Sequence, residues 1–125
     1  MRLLLDTHVF LWWRADAPEL PASARLAMLD TSNEVLVSAV VAWEITIKRA
    51  LGKLDFEGRV ADAVAEEGFA SLPIELRHAD ELTRLPAHHR DPFDRMLVAQ
   101  ARIESLTLVS VDPAFRDYGG VAFLE

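Results

Sequence analysis

Short apolar runs of strand length alternate with helical patterns along this chain, and that alternation limits its fold more than any other feature. "RLLLD" (2–6), "EVLVS" (34–38), "FASLPI" (69–74), "LTLVSV" (106–111) and "VAFLE" (121–125) read as strands. Between them, residues 7–14, "LPASARLAMLD" (20–30), "AVVAWEITIKRAL" (39–51), "FEGRVADAVAEEG" (56–68), "ELRHADELTRL" (75–85) and "PFDRMLVAQARIE" (92–104) read as helices. Ser38 caps the third of these and Gly52 ends it; Asp91 caps the last, with Pro92 at its first position. "PAHHRDP" (86–92) is a loop and "DPAFRDY" (112–118) a single turn. The alternation predicts an α/β fold with a parallel sheet, one three-layer domain over residues 1–125 without repeats or linkers.

Composition narrows the function classes. With 51% apolar residues in 125, an ordinary core is expected. The chain has no cysteine, which removes disulfides, zinc–thiolate sites and cysteine nucleophiles together and suits a reducing compartment. "MRLLLD" offers too short an apolar stretch between Arg2 and Asp6 for a signal-peptide core, and no apolar run approaches the roughly 18 residues that span a bilayer. A soluble, cytoplasmic protein is the expectation. The net charge of −7 speaks against a nucleic-acid partner unless divalent cations sit among the acids.

Four acids stand where ligands gather in a parallel sheet, near the carboxyl ends of strands. Asp6 closes the first apolar run, Asp112 follows the fourth, Glu44 lies in the helix after the second, and Asp94 lies in the first turn of the helix before the fourth. Each has a plainer reading. Asp94 follows Asp91 at capping-box spacing, Asp112 precedes Pro113 as an ordinary N-cap, and Glu44 is four residues before Lys48, the spacing of a surface ion pair. Asp6 is harder to set aside, since a carboxylate at a strand end is rarely buried without a partner. If the four converge, two unit charges about 5 Å apart at an effective dielectric of about 20 repel by roughly 3 kcal/mol, and six such pairs reach on the order of 20 kcal/mol. That exceeds the roughly 5–15 kcal/mol net stability of a domain, so cations or protons must sit among them. Carboxylates alone favour hard cations, Mg²⁺ or Mn²⁺. Thr7 and Ser110 offer hydroxyls beside the acids, or serve as ordinary cap and turn residues.

The phrases "LLLDTHVFLW", "VSAVVAWEITIKRALGKL", "HHRDPFDRMLVAQA" and "LVSVDPAF" resemble, in order and spacing, the PIN-domain ribonucleases, and among them the toxin half of VapBC toxin–antitoxin pairs. The likeness runs the length of the chain, and "DPFDRMLVAQA" is its most specific part. The resemblance implies a sheet of order 3-2-1-4-5 flanked by helices. It makes Asp6, Glu44, Asp94 and Asp112 the catalytic, metal-holding quartet for one or two Mg²⁺ or Mn²⁺ ions, with Thr7 and Ser110 as supporting hydroxyls. It implies endonucleolytic cleavage of RNA by metal-activated water, a homodimer, and silencing by a cognate VapB-type antitoxin.

Two such ions would lower the charge deficit from −7 to about −3. Arg14, Lys48, Arg49, Lys53, Arg90, Arg95 and Arg116 lie near the acidic motifs and are candidates for an RNA groove, or else a solvated rim. Lys48, Arg90 and Arg95 are the substrate-binding candidates among them. His8, His88 and His89 are not needed as ligands, and "HHR" suits the substrate mouth. Trp12, Trp13 and Trp43 fit a core, yet adjacent tryptophans on one helix cannot share a face, so one of Trp12 and Trp13 should be partly exposed and available to a protein partner. Other readings stay open: a nuclease of this fold acting on other nucleic acid, a non-catalytic PIN-like binding module, or a phospho-receiver-like signalling domain. The last needs an aspartate ending the third strand and a lysine ending the last, which "FASLPIE" and "VAFLE" lack.

Overall fold

Leu3, Leu4 and Leu5 are wholly buried in the strand β1 (Arg2–Leu5), as a run without polar alternation requires when both faces of the sheet are covered. The computed structural model describes residues 1–86, 91–119 and 121–124. β1 pairs in parallel with β2 (Glu34–Ser38) on one side and β4 (Thr107–Val109) on the other. β3 (Ala70–Leu72) and β5 (Ala122–Leu124) complete a parallel five-stranded sheet of order β3-β2-β1-β4-β5. The expected α/β architecture and strand order are therefore present. Pairing Leu5 with Val109 brings Asp6 alongside Ser110, and the Asp6 N–H donates to the Val109 carbonyl at 3.1 Å.

Helices α1 (Thr7–Ala15), α2 (Ala22–Leu29), α3 (Ala39–Ala50), α4 (Val60–Glu66), α5 (Leu76–Glu81) and α6 (Pro92–Glu104) flank the sheet. α6 packs on α3 and α5, and α1 on α3. Phe10, Ile45, Leu97, Leu108 and Phe115 fill the core between these layers and the strands. Two helix starts carry the expected side-chain caps, Ser38 accepting from the Val40 N–H at 3.0 Å and Asp91 from Phe93 at 2.8 Å, and Asp6 caps a third, accepting from Val9 at 2.8 Å. Among the described residues no helix is long and apolar enough to cross a membrane.

Four expected elements are shorter than their apolar patterns. The helix over 56–68 begins only at Val60, because Gly58 sits at φ +77°, outside helical space. The Arg49 guanidinium fixes that turn by donating to the carbonyls of Phe56 (3.0 Å) and Gly58 (2.8 Å). The helix over 75–85 tightens at Leu82–Arg84 into a 3₁₀ turn, and Leu85 is extended ahead of Pro86. The strand over 69–74 stops before Pro73, which has no N–H to give a ladder. The strand over 106–111 pairs only across 107–109, opposite Leu3–Leu5 of β1 and Ala122–Leu124 of β5. His88, His89, Arg90 and the terminal Glu125 lie outside the described residues.

A polar group of a different kind is buried where β2, α5 and α6 meet. The Ser38 hydroxyl donates to Gln100 Oε1 at 2.5 Å, and Gln100 Nε2 donates to the Pro73 carbonyl at 3.2 Å. His78 is fully buried, and its Nδ1 accepts from the Glu75 N–H at 3.0 Å. A neutral ring therefore carries its proton on Nε2, which faces Glu104 Oε1 at 3.5 Å. Arg77 bridges the Glu75 and Glu104 carboxylates.

Candidate active site

Asp6, Glu44, Asp94 and Asp112 come from four separate stretches of chain and wall one small cavity of about 100 Å³. It opens beyond the carboxyl ends of β1 and β4, where the strand order changes direction. Lys48 and His8 also face it, and so does Asp91, a fifth carboxylate. The sequence marks Asp91 as an N-cap and nothing more. It is one, accepting from the N–H groups of Phe93 and Asp94, and the spacing that identifies the cap also sets its side chain beside Asp94.

Hydroxyls hold two of the acids. Thr7 Oγ1 donates to Glu44 Oε1 at 2.6 Å, both side chains being buried. The Ser110 hydroxyl donates to the Asp6 carboxylate, while Ser110 Oγ accepts from the Asp112 N–H at 3.1 Å. One serine thus ties the acid after β1 to the acid after β4. Asp112 caps the 3₁₀ turn Pro113–Asp117, accepting from Ala114 N–H at 2.9 Å.

Electrostatics register the crowding. Burial pushes the Asp94 carboxyl up from an ordinary 3.8 to about 7, and the charges of Asp91, Glu44, Asp6 and Asp112 push the same way. Burial also raises Asp6, with Glu44 adding to the rise, although the bonds from Ser110 and Val9 and the nearness of His8 pull it down. Lys48 Nζ lies 2.6 Å from Glu44 Oε2, and this hydrogen bond, together with the charges of Glu44, Asp91 and Asp94, raises the lysine. The acid oxygens line the cavity walls without closing on a single point. Among the described residues, the set of three ligand atoms within 4.8 Å of one another is Glu75, His78 and Glu104, not three of the cavity acids.

The cations expected near the acids divide sharply. Lys48 is at the cavity. Arg95 turns back to the carbonyls of Leu82 (3.2 Å) and Pro86 (3.1 Å), Arg49 holds the 56–58 turn, and Arg14 pairs with Glu66 at 2.7 Å. Arg90 lies outside the described residues. Trp12 and Trp13 are both half-buried, whereas Trp43 is 53% exposed with its ring 5.0 Å from Phe93, edge to face. The sequence places the exposed aromatic on α1; α3 presents a more open one. A roomier, mostly apolar groove of about 420 Å³ between α3, α4 and β3 carries no acid, so the donor groups and not the volume locate the chemistry.

A parallel three-layer α/β protein with an acid-walled cavity at the strand-order switch is the class these observations define. Residues 3–121 match the family model of the PIN domain, and the chain belongs to that family. No curated protein matches the chain. Solved structures similar to it include a chain of VapBC2 from Rickettsia felis bound to a DNA fragment from their promoter, with TM-score 0.73, 15% identity, and 99% of this chain and 98% of that one covered. DNA-bound VapBC from Salmonella typhimurium is also similar, with TM-score 0.68, 17% identity and coverage of 99% and 97%. So is FitAcB from Neisseria gonorrhoeae, with TM-score 0.67, 22% identity and coverage of 98% and 96%. At these identities the likeness is one of fold.

Proposed function

We propose that this chain, working as one PIN domain over residues 1–125, is a Mg²⁺- or Mn²⁺-dependent endoribonuclease and the toxin of a toxin–antitoxin pair. The observation that carries the reading is the convergence of Asp6, Glu44, Asp94 and Asp112 on one cavity whose electrostatics hold Asp94 near pH 7. The donor set fits a hard divalent cation: it is oxygen only, carries excess negative charge, and has an ammonium, Lys48, already drawn into it.

Asp6, Glu44, Asp94 and Asp112 hold the cation in this reading. Thr7 fixes the rotamer of Glu44, and Ser110 that of Asp6. When bound, the cation supplies a water activated for in-line attack on phosphorus and offsets charge on the departing 3′ oxygen. Water adds to phosphorus as the P–O3′ bond breaks, leaving a 5′-phosphate and a 3′-hydroxyl. The carboxylates orient the reacting groups, and no side chain forms a bond to substrate. Lys48 and Arg90 meet the RNA phosphates; Arg95, its guanidinium committed to two carbonyls, contributes by fixing the start of α6 beneath Asp94.

Likeness to chains of VapBC and FitAcB assemblies supports a VapB-type antitoxin as partner. The proposal also has the chain act in the cytoplasm and as a homodimer. Incubating the purified protein with structured RNAs in Mg²⁺, Mn²⁺ or EDTA, beside Asp6→Asn and Asp94→Asn, tests the activity. Cleavage that needs the metal and both aspartates is expected. Cleavage that survives EDTA and both substitutions overturns the mechanism, and cleavage confined to DNA overturns the substrate.

A further inference from the structure

Both oxygens of Glu44 are taken by side chains of this chain: Oε1 by the Thr7 hydroxyl and Oε2 by the Lys48 ammonium, each at 2.6 Å. Glutamate and lysine at this helical spacing ordinarily form a weak pair on a wet surface. Here the glutamate side chain is only 6% exposed while the lysine is 37% exposed, so a buried anion is paired with a cation able to leave. The ammonium faces the cavity and feels Asp91 and Asp94 as well as Glu44.

The other carboxylate cluster makes a useful contrast. At Glu75, His78 and Glu104 the ligand atoms are closer together, but Arg77 spans the carboxylates and His78 Nδ1 accepts a backbone N–H, which leaves Nε2 protonated and unable to take a metal. That cluster carries a cation fixed between its carboxylates; the cavity is held by a cation that can be exchanged.

Resting on the metal-binding reading above, we propose that Lys48 is a built-in counter-ion that competes with the divalent cation for Glu44 and so sets the affinity at which the metal binds. Its ammonium neutralises Glu44 in the metal-free chain. It swings aside on its flexible four-carbon stem when Glu44 turns to the metal, which frees it for the phosphate contact assigned to it above. Removing the lysine therefore tightens metal binding, the opposite of what loss of a merely structural residue does.

Mn²⁺ binding to the full chain by isothermal titration, at fixed pH and ionic strength, tests this. Lys48→Met is expected to bind Mn²⁺ on the order of tenfold more tightly than wild type, through loss of a nearby positive charge. Lys48→Gln provides the same charge change with a polar side chain should the methionine variant fold poorly, and Lys48→Arg should stay within about twofold of wild type. Lys53→Met removes the same formal charge beyond the end of α3, away from the cavity lining, and should also stay within about twofold. Unchanged or weaker binding in both neutral Lys48 variants overturns the counter-ion role alone. A wild type that takes up no Mn²⁺ at millimolar concentration overturns the metal reading and this inference together.

Discussion

Two carboxylate clusters in this molecule meet the same physical problem with opposite outcomes. Between α5 and α6, Glu75 and Glu104 sit with Arg77 and His78, and one fixed guanidinium offsets half of the negative charge. At the ends of β1 and β4, five carboxylates face one cavity with Lys48 the ammonium among them, and Asp94 is left holding its proton near neutrality. The first arrangement, with Arg77 and Glu75 about half exposed, is an ordinary ion-pair network at a protein surface. The second is costly to the fold, and such a cost persists where the group serves chemistry. The share of negative charge that a cation offsets, more than the closeness of ligand atoms, separates the two.

The largest effect expected from this contrast is on activity. Asp94→Asn should lower metal-dependent RNA cleavage at least about a hundredfold, some 2.7 kcal/mol of barrier, with a thermal midpoint unchanged or raised, since a repelled charge is removed. Asp6→Asn should behave alike, because asparagine still accepts the Val9 N–H. Midpoints that fall in step with activity would make the cavity acids structural and break the contrast. At the other cluster, Arg77→Ala should cost up to about 1 kcal/mol, a drop of a few degrees in midpoint, by leaving the Glu104 carboxylate without its cation. Cleavage per folded molecule should be retained, read by calorimetry beside a single-turnover assay.

The pH dependence is an effect of comparable size. Asp94, raised to about 7 in the folded chain from an ordinary 3.8, binds a proton in the native state that the unfolded chain has already released between those values. Stability in EDTA should therefore fall as pH climbs from about 4 to 7 and level off above, by about 1–2 kcal/mol after allowance for solvent screening. Asp6 pushes in the same direction. Adding Mg²⁺ or Mn²⁺ at pH 8 should recover the loss; denaturation midpoints that rise with pH across this window would refute the crowding. The smallest effect belongs to a pair outside both clusters. Arg14→Gln breaks the exposed contact to Glu66 and should change stability by less than about 0.5 kcal/mol in urea denaturation.

Local chemistry makes some of this legible in sequence, and tertiary pairing hides the rest. β2 and α6 have the bounds expected of them because Ser38 ends one element and Asp91–Pro92 starts the other. The helix expected from 56 starts late because Gly58 turns left-handed under the grip of Arg49, a contact invisible along the chain. Strand ends after Val109 depend on where β1 and β5 stop pairing, which no single run of residues states. In the cavity, Asp6, Glu44, Asp94 and Asp112 announce themselves by position after strands and in helix turns. Asp91 does not, since one aspartate can cap a helix and face a cavity at once. The commitment of Arg95 to carbonyls of the preceding turn is equally unreadable, because a guanidinium's partner is chosen in three dimensions.

Both outer strands of the sheet, β3 and β5, are only three residues long. So brief a margin offers a passing polypeptide almost no ladder to extend, and the molecule is guarded against growing into a ribbon with its own copies.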